Sequence, residues 1–132
     1  MKVDKEIRIL VVDNEPRICH LIVEVLVQDG YMVDVSFSGT DAMQMIKENS
    51  YHLLITDLDM PGIDGLELIQ KLKKQNPDAG TIMITGNTIV DVATWSLIYG
   101  IDNHVKRPFD IIKLGEMVKQ TLCDHKMLLD KM

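Results

Sequence analysis

The segment Leu53–Ile69, LLITDLDMPGIDGLELI, contains the residues on which the interpretation of this chain depends. It begins with an apolar run of strand length and reaches a carboxylate, Asp57, with a second, Asp59, two residues later. A strand that is buried on both faces tolerates a charge only where it emerges at the edge of the sheet. We therefore expect Asp57 at the carboxyl end of a strand, in the crevice where open α/β sheets bind ligands. Asp64, after a Pro-Gly turn, is expected to cap a helix.

The composition is typical of one globular domain. The chain has 132 residues, of which 46% are hydrophobic, and a formal net charge of −6. We expect a single domain over residues 1–132, with a core at about 5–125 and a tail at 126–132 that extends the last helix or begins a linker. The acidic balance argues against direct binding of nucleic acid or of an anionic membrane by this domain.

Targeting and membrane signals are not evident, so the expected location is the cytoplasm. No apolar run reaches membrane-spanning length, and the charged N-terminus is unlike a signal peptide. Cys19 and Cys123 are both expected in helices, as reduced thiols of a cytosolic protein.

Five predicted strands alternate with five predicted helices, joined by short loops. The strands are expected at 7–12, 31–37, 51–56, 81–85 and 103–106. Apolar residues at helical spacing follow each strand; the fourth helix is expected at 88–99, and the last is expected to begin at Pro108. This alternation predicts an α/β fold of three layers, in which a parallel five-stranded sheet has helices on both faces.

Chemically useful residues follow four of these strands, namely Asp13, Asp57, Thr85 and Arg107. Because parallel strands end at the same edge of a sheet, we expect these residues to meet there. Mg²⁺ relieves the repulsion of paired carboxylates and bridges phosphate oxygens, and an Asp can form an aspartyl phosphate. A hydroxyl and a cation can both contact phosphoryl oxygens. The combination predicts a phosphoryl-transfer site, although each Asp alone is also compatible with a turn former, and Thr85 with an ordinary strand residue.

Four segments together resemble the receiver domains of bacterial two-component response regulators, of the chemotaxis-receiver type. They are ILVVDNEPRI (9–18), LLITDLDMPGIDGLELI (53–69), IMITG (82–86) and GIDNHVKRPF (100–109), and the resemblance covers about residues 5–125. The resemblance implies a flavodoxin-like sheet with strand order 2-1-3-4-5. It also implies a signalling domain rather than an enzyme, one that receives a phosphoryl group from a sensor histidine kinase or a phosphorelay protein and hydrolyses it slowly.

The same resemblance assigns roles to individual residues. Asp57 would be the phosphoacceptor, and Asp13 would belong to the acidic pocket that binds Mg²⁺ together with the backbone carbonyl of Asp59. Thr85 would be the switch hydroxyl that moves toward the phosphoryl group.

Three positions depart from the usual pattern of that family. A second metal-binding acid is replaced by Asn14, whose amide oxygen still suits Mg²⁺ but carries no charge, so we expect weaker metal binding; Asn14 is also compatible with a simple helix cap. The usual Lys before a Pro is Arg107, since strand parity turns Lys106 to the opposite face. His104 occupies the usual aromatic switch position, which leads us to expect a switch sensitive to pH near neutrality.

The predicted helix 88–99 is a candidate partner surface. If its small and aliphatic positions face the sheet, Trp95 and Ile98 point outward. By resemblance, the fourth helix, fifth strand and fifth helix form the output face, which contacts a downstream domain or protein or a second copy of the chain. The plainer alternative is that Trp95 packs onto a neighbouring helix.

Two other functions stay open at this point. Asn14 and Arg107 motivate a pseudo-receiver, a constitutive protein-interaction module with weakened metal and phosphoryl chemistry. The third possibility is an enzyme or flavin carrier of the same architecture. A phosphatase with an aspartyl intermediate usually carries a pair of Asp residues after the first strand, where this chain has Asp13-Asn14-Glu15.

Overall fold

A five-stranded parallel sheet forms the centre of the protein. The computed structural model describes residues 6–60, 62–86 and 99–127. The strands are β1 (Arg8–Val12), β2 (Met32–Ser36), β3 (Leu53–Asp57), β4 (Gly80–Thr85) and β5 (Asn103–Lys106). They lie in the order β2-β1-β3-β4-β5, and every neighbouring pair is parallel. The predicted fold class and strand order are confirmed.

Four helices lie within the described residues. They are α1 (Pro16–Gln28), α2 (Gly39–Glu48), α3 (Gly65–Gln75) and α4 (Ile111–Asp124). The predictions for Trp95, Ile98 and nearly all of the helix at 88–99 fall outside the described residues. None of the helices in the described ranges is long and apolar enough to span a membrane.

Alternate strand residues face two separate hydrophobic clusters, because side chains of a strand point to opposite faces of the sheet. One face packs against α1 and α4 and the other against α2 and α3. Thus Val11 and Ile55 lie in the first cluster, whereas Leu10 and Leu54 lie in the second. The central strands β3 and β4 are buried along their whole length, so a polar residue in them is exceptional unless it stands at a strand end.

Caps define the starts of the helices. Pro16 occupies the first turn of α1, and Asp64 caps α3 as predicted, in a capping box with Glu67. The prediction for the last helix was wrong by three residues. Helix α4 begins at Ile111, because the Asp110 carboxylate accepts hydrogen bonds from the backbone N–H groups of the first turn.

Two predicted core positions differ in the structure. The apolar alternation of the second strand ends before Phe37, whose side chain is exposed beyond the end of β2. In α3, the spacing of Leu66, Ile69 and Leu72 predicts Leu66 in the core, but Leu68 is fully buried and Leu66 only partly. A helix that packs between a sheet and a neighbouring helix buries a wider stripe than the one expected from spacing alone.

Candidate functional site

The ends of β1, β3 and β4 bring three buried polar residues to one edge of the sheet. Asp13 directly follows β1, Asp57 is the last residue of β3 and Thr85 is the last residue of β4. All three are buried, and Asp13 has no exposed surface at all. A buried carboxylate is costly unless a cation or hydrogen-bond donors accompany it. The partners of these two carboxylates therefore determine what the site can do.

Arg107, which follows β5, provides the charge that the two carboxylates share. Its Nη2 lies 2.5 Å from Asp13 Oδ2 and 3.1 Å from Asp57 Oδ2. Its Nη1 lies 3.2 Å from Oε1 of Glu15, in the loop before α1. One planar guanidinium thus contacts three acids, two from the loop between β1 and α1 and one from the end of β3, as its fork of donors permits.

The second oxygen of each Asp is held by the backbone. Asp13 Oδ1 accepts a hydrogen bond of 2.9 Å from the N–H of Glu15, and Asp57 Oδ1 accepts one of 3.2 Å from the N–H of Asp59. Local bonds of this kind fix the orientation of an Asp side chain at a turn. As a result, both Oδ2 atoms are directed to the same place, where Arg107 meets them.

The environment of the site shifts the pKa of two of its groups. Burial raises the pKa of the Asp57 carboxyl above its ordinary value; the Arg107 charge opposes this change and the Asp13 charge adds to it. For Arg107, burial by itself acts to lower the pKa, but the hydrogen bond and charge of Asp13, together with Asp57, raise it overall. The guanidinium is therefore permanently charged, whereas ionised Asp57 lacks full compensation.

The backbone around Asp57 is tightly packed. A Cβ atom placed on Gly65 would lie 2.4 Å from the carbonyl oxygen of Asp57, so only a glycine fits at the start of α3. The N–H of Leu58 donates to Ile84 in β4, and the N–H of Arg107 donates to the carbonyl of Thr85. These bonds tie together the strand ends that carry Asp57, Thr85 and Arg107.

The remaining predicted site residues lie nearer the surface. Asn14 and Asp59 are exposed beside the buried pair, while His104 and Lys106 are exposed on β5. Lys106 pairs in register with Thr85 and is exposed, whereas Arg107 is the residue whose side chain contacts the carboxylates. Within the described ranges, no group of three or more His, Cys, Asp or Glu side chains has the arrangement of a metal site.

The donor set nevertheless suits a hard cation. It contains two carboxylates, an exposed amide at Asn14 and a backbone carbonyl at Asp59, all of them oxygen ligands of the kind that Mg²⁺ prefers. A site built from two carboxylates and neutral oxygens does not require a third acidic side chain.

Sequence reasoning missed two participants. From the sequence, Glu15 is at most an acid that reaches a metal through a water, but in the structure it contacts Arg107. Cys19 was considered only as a thiol in α1, but its Sγ donates to the backbone carbonyl of Asp13. The first contact had a signal in the sequence, an acid two residues after a strand-end Asp; the second had none.

Comparison with known proteins assigns this arrangement to a family. The family model for the response regulator receiver domain matches residues 9–119. The chain belongs to the response regulator receiver domain family. Receiver domains are signalling rather than catalytic components, and this one is part of the two-component class.

Curated sequence relatives of this receiver domain include transcriptional regulatory proteins. TctD of Salmonella typhimurium is 30% identical over 115 residues, which are 87% of this chain and 51% of that protein. TcrA of Mycobacterium tuberculosis is 31% identical over 108 residues, which are 82% of this chain and 43% of that protein. The receiver domain therefore spans about half the length of the curated relatives that it matches.

Solved receiver structures superpose over most of the chain. The CheY-like receiver domain protein from Methanospirillum hungatei has a TM-score of 0.85 at 27% identity, covering 92% of this chain and 98% of the other. TrrA from Thermotoga maritima, solved in complex with Mg²⁺-BeF, has a TM-score of 0.76 at 36% identity, covering 88% and 99%. Mg²⁺ is thus a cofactor found in this family.

Proposed function

We propose that this receiver domain is a phosphorylation-dependent switch in which Asp57 accepts a phosphoryl group. The observation that carries the proposal is the placement of Asp57 at the end of β3, nearly buried, beside Asp13 and with its Oδ2 atom directed to a cation. The donor is a sensor histidine kinase or a phosphorelay protein, consistent with the family. In this proposal the remainder of a longer protein, or a separate protein, receives the output.

The transfer step is a displacement at phosphorus. An Asp57 carboxylate oxygen forms a bond to phosphorus while the bond from phosphorus to the donor's histidine nitrogen breaks, and that nitrogen keeps the electron pair. Asp57 must be ionised to attack, and its raised pKa makes the carboxylate a stronger nucleophile once ionised. The buried edge formed by β1, β3 and β4 limits the approach of water, which favours a phosphorylated state with a measurable lifetime.

Asp13, Asn14, Asp57 and the backbone carbonyl of Asp59 would hold a Mg²⁺ ion. When bound, the ion neutralises charge that develops on the phosphoryl oxygens. Asn14 contributes no charge, so weak metal binding is part of the proposal. Asp13 supplies the only second carboxylate of this set, and its complete burial keeps it in place.

The switch follows from the charge that the phosphoryl group adds. Its oxygens are acceptors for the Thr85 hydroxyl and for Arg107, which at present contacts both carboxylates. Movement of Thr85 at the end of β4 would change the surface formed by β5, α4 and the predicted helix 88–99, where His104, Trp95 and Ile98 lie in sequence. A partner that prefers the altered surface, including a second copy of the chain, would then bind.

A pseudo-receiver is the second candidate, and the ion pairs of Arg107 favour it. In that case the guanidinium permanently neutralises Asp13 and Asp57, and the domain binds its partner without phosphorylation. The two candidates differ in whether Asp57 reacts and in whether the protein responds to a phosphoryl mimic.

A mass measurement tests the proposal. Incubation with acetyl phosphate and Mg²⁺ is expected to add about 80 Da, the mass of one phosphoryl unit on a carboxylate. The Asp57→Ala variant must show no adduct, while Asp59→Ala, an exposed neighbour, must keep it. Trp95 fluorescence should respond to beryllofluoride with Mg²⁺. No adduct and no fluorescence response would favour the pseudo-receiver.

A further inference from the structure

The Oδ2 atoms of Asp13 and Asp57 are already bound to one cation, the guanidinium of Arg107. Each carboxylate uses its Oδ1 atom for a backbone N–H, from Glu15 and Asp59 respectively. The Oδ2 atoms are therefore the ones available to a metal, and both contact the same Nη2 atom. Their separation cannot exceed the sum of these two contact distances, so a small cation that bound both would meet Arg107 there.

We propose that Arg107 is an internal counter-cation that competes with the divalent metal for Asp13 and Asp57, so that metal binding requires the guanidinium to leave. The inference rests on the metal site of the proposed function and adds its regulation. Mg²⁺ demands near-octahedral oxygen coordination at about 2.0–2.1 Å, which leaves no room for a donor nitrogen at the same pair of oxygens. Two cations in a site this poorly solvated also repel each other strongly.

Glu15 makes the competition stronger. Its Oε1 lies 3.2 Å from Nη1, on the outer side of the guanidinium, and the side chain is mostly exposed. Glu15 thus holds Arg107 in the pocket without occupying either Oδ2 atom. An extended guanidinium reaches three acids together, which a compact ammonium cannot do with the same geometry.

A metal titration without any phosphodonor tests the competition. Mg²⁺ affinity is measured by calorimetry for the unmodified chain, for Arg107→Gln and for Lys106→Gln. Lys106 is exposed and adjacent, so its replacement removes the same charge but breaks no contact with Asp13 or Asp57. We expect Arg107→Gln to bind Mg²⁺ roughly tenfold more tightly, the equivalent of one charged hydrogen bond, and Lys106→Gln to bind nearly as the unmodified chain does. Equal affinities for the two variants, or absence of Mg²⁺ binding by Arg107→Gln, would overturn the inference.

Thermal unfolding provides a readout that a merely structural role would not produce. Loss of Arg107 leaves Asp13 buried with an unpaired charge, so Arg107→Gln should melt below the unmodified chain in chelator. If the metal takes the place of the guanidinium, saturating Mg²⁺ should remove most of the difference in melting temperature between Arg107→Gln and the unmodified chain. A gap that is unchanged by Mg²⁺ would mean that Arg107 supports the fold without competing for the metal.

Glu15→Gln keeps the experiment decisive if Arg107→Gln does not fold. The exposed side chain makes this variant safe for folding, and both metal-binding carboxylates remain. Competition predicts that this variant binds Mg²⁺ about twofold more tightly although an acid has been lost. The effect is small because a surface ion pair contributes little free energy, but the ion pair of Glu15 with Arg107 holds the guanidinium at the two Oδ2 atoms. Weaker binding would instead make Glu15 a metal-attracting acid and would refute its holding role. Failure of the proposed function would appear separately, as no adduct on Asp57.

Discussion

Asp13 and Asp57 follow different strands, yet their Oδ2 atoms contact the same nitrogen of Arg107, at 2.5 and 3.1 Å. The contact joins the ends of β1 and β3 to the residue after β5, around one nearly buried centre. Its charge balance is incomplete, since the two carboxylates share one guanidinium that also contacts Glu15. A centre of this kind stores unfavourable charge in the resting protein, and several measurable consequences follow from it.

Asp57→Asn is expected to raise the free energy of unfolding at pH 7 by about 1 kcal/mol, because the neutral amide avoids burial of a charge. Burial raises the pKa of the Asp57 carboxyl above its ordinary value of 3.8. The stability that the protonated carboxyl gives to the native state is therefore fully present below pH 3.8, and it is lost as the pH rises through the raised pKa. The advantage of Asp57→Asn should therefore vanish as the pH falls toward 3.8. Urea unfolding at several pH values measures the difference in free energy of unfolding between Asp57→Asn and the unmodified chain. Asp59→Asn, at an exposed neighbour, should show no such advantage, and an advantage of Asp57→Asn that grew at low pH would contradict the argument.

Gly65→Ala is expected to destabilise the protein by 2 kcal/mol or more, about the scale of overpacking against backbone. Its Cβ would lie 2.4 Å from the carbonyl oxygen of Asp57, so either α3 or the end of β3 must move. Denaturant unfolding gives the stability, and acetyl phosphate labelling should show slower adduct formation. Gly86→Ala is the matched control at the end of the neighbouring strand, because its Cβ would meet nothing within 4 Å. Equal costs for the two changes would rule out the packing explanation.

The strand ends that form the site were predictable, since alternating βα units place every carboxyl end at one edge of a parallel sheet. Asp57 was recognisable as the charge that ends a largely apolar run of strand length, and parity separated Arg107 from Lys106. These arguments use only the spacing of apolar residues along the sequence and the common direction of the strands.

The contacts made by Arg107 were not predictable in the same way. A long side chain has many rotamers, and its choice depends on the distances between strand ends, which periodicity does not contain. The same limit explains Leu68, which the spacing in α3 did not single out, and Asp110, whose cap required knowledge of the turn before α4. Local patterns specify elements, whereas the site depends on how loops meet.

Asp64→Ala should lower the free energy of unfolding by about 1 kcal/mol, the usual effect of losing a helix N-cap. Asp64 Oδ1 accepts from the N–H of Glu67 at 3.0 Å, and Glu67 Oε1 accepts from the N–H of Asp64 at 3.2 Å. Asp64→Asn keeps an acceptor oxygen and should recover most of the stability. Chemical denaturation distinguishes the three proteins, and equal losses for the Ala and Asn variants would argue against a capping role.

Thr85→Ala should separate phosphorylation from switching. The side chain is 2% exposed at the end of β4, and the proposed role of its hydroxyl begins only after Asp57 carries the phosphoryl group. We expect the adduct from acetyl phosphate to form, but the Trp95 fluorescence response to beryllofluoride to fall by about half or more, since one hydrogen bond to a charged group is lost. Thr85→Ser restores the hydroxyl and should recover the response. A full response in Thr85→Ala would remove the hydroxyl from the switch.

Cys19 should report opening of the loop between β1 and α1, because its Sγ donates to the Asp13 carbonyl and burial raises the pKa of the thiol from 9.0 to about 11. At pH 8 the thiolate fraction of the folded protein is then about a hundredfold below that of the unfolded chain, and iodoacetamide alkylation should slow by at least that factor. Peptide mass spectrometry over time follows the modification of Cys19, with the urea-unfolded chain as reference. Since alkylation follows the thiolate, the native rate should keep rising as the pH increases from 8 to 10. A native rate within tenfold of the unfolded one would mean that this loop opens readily and that the Asp13 contacts are not maintained in solution.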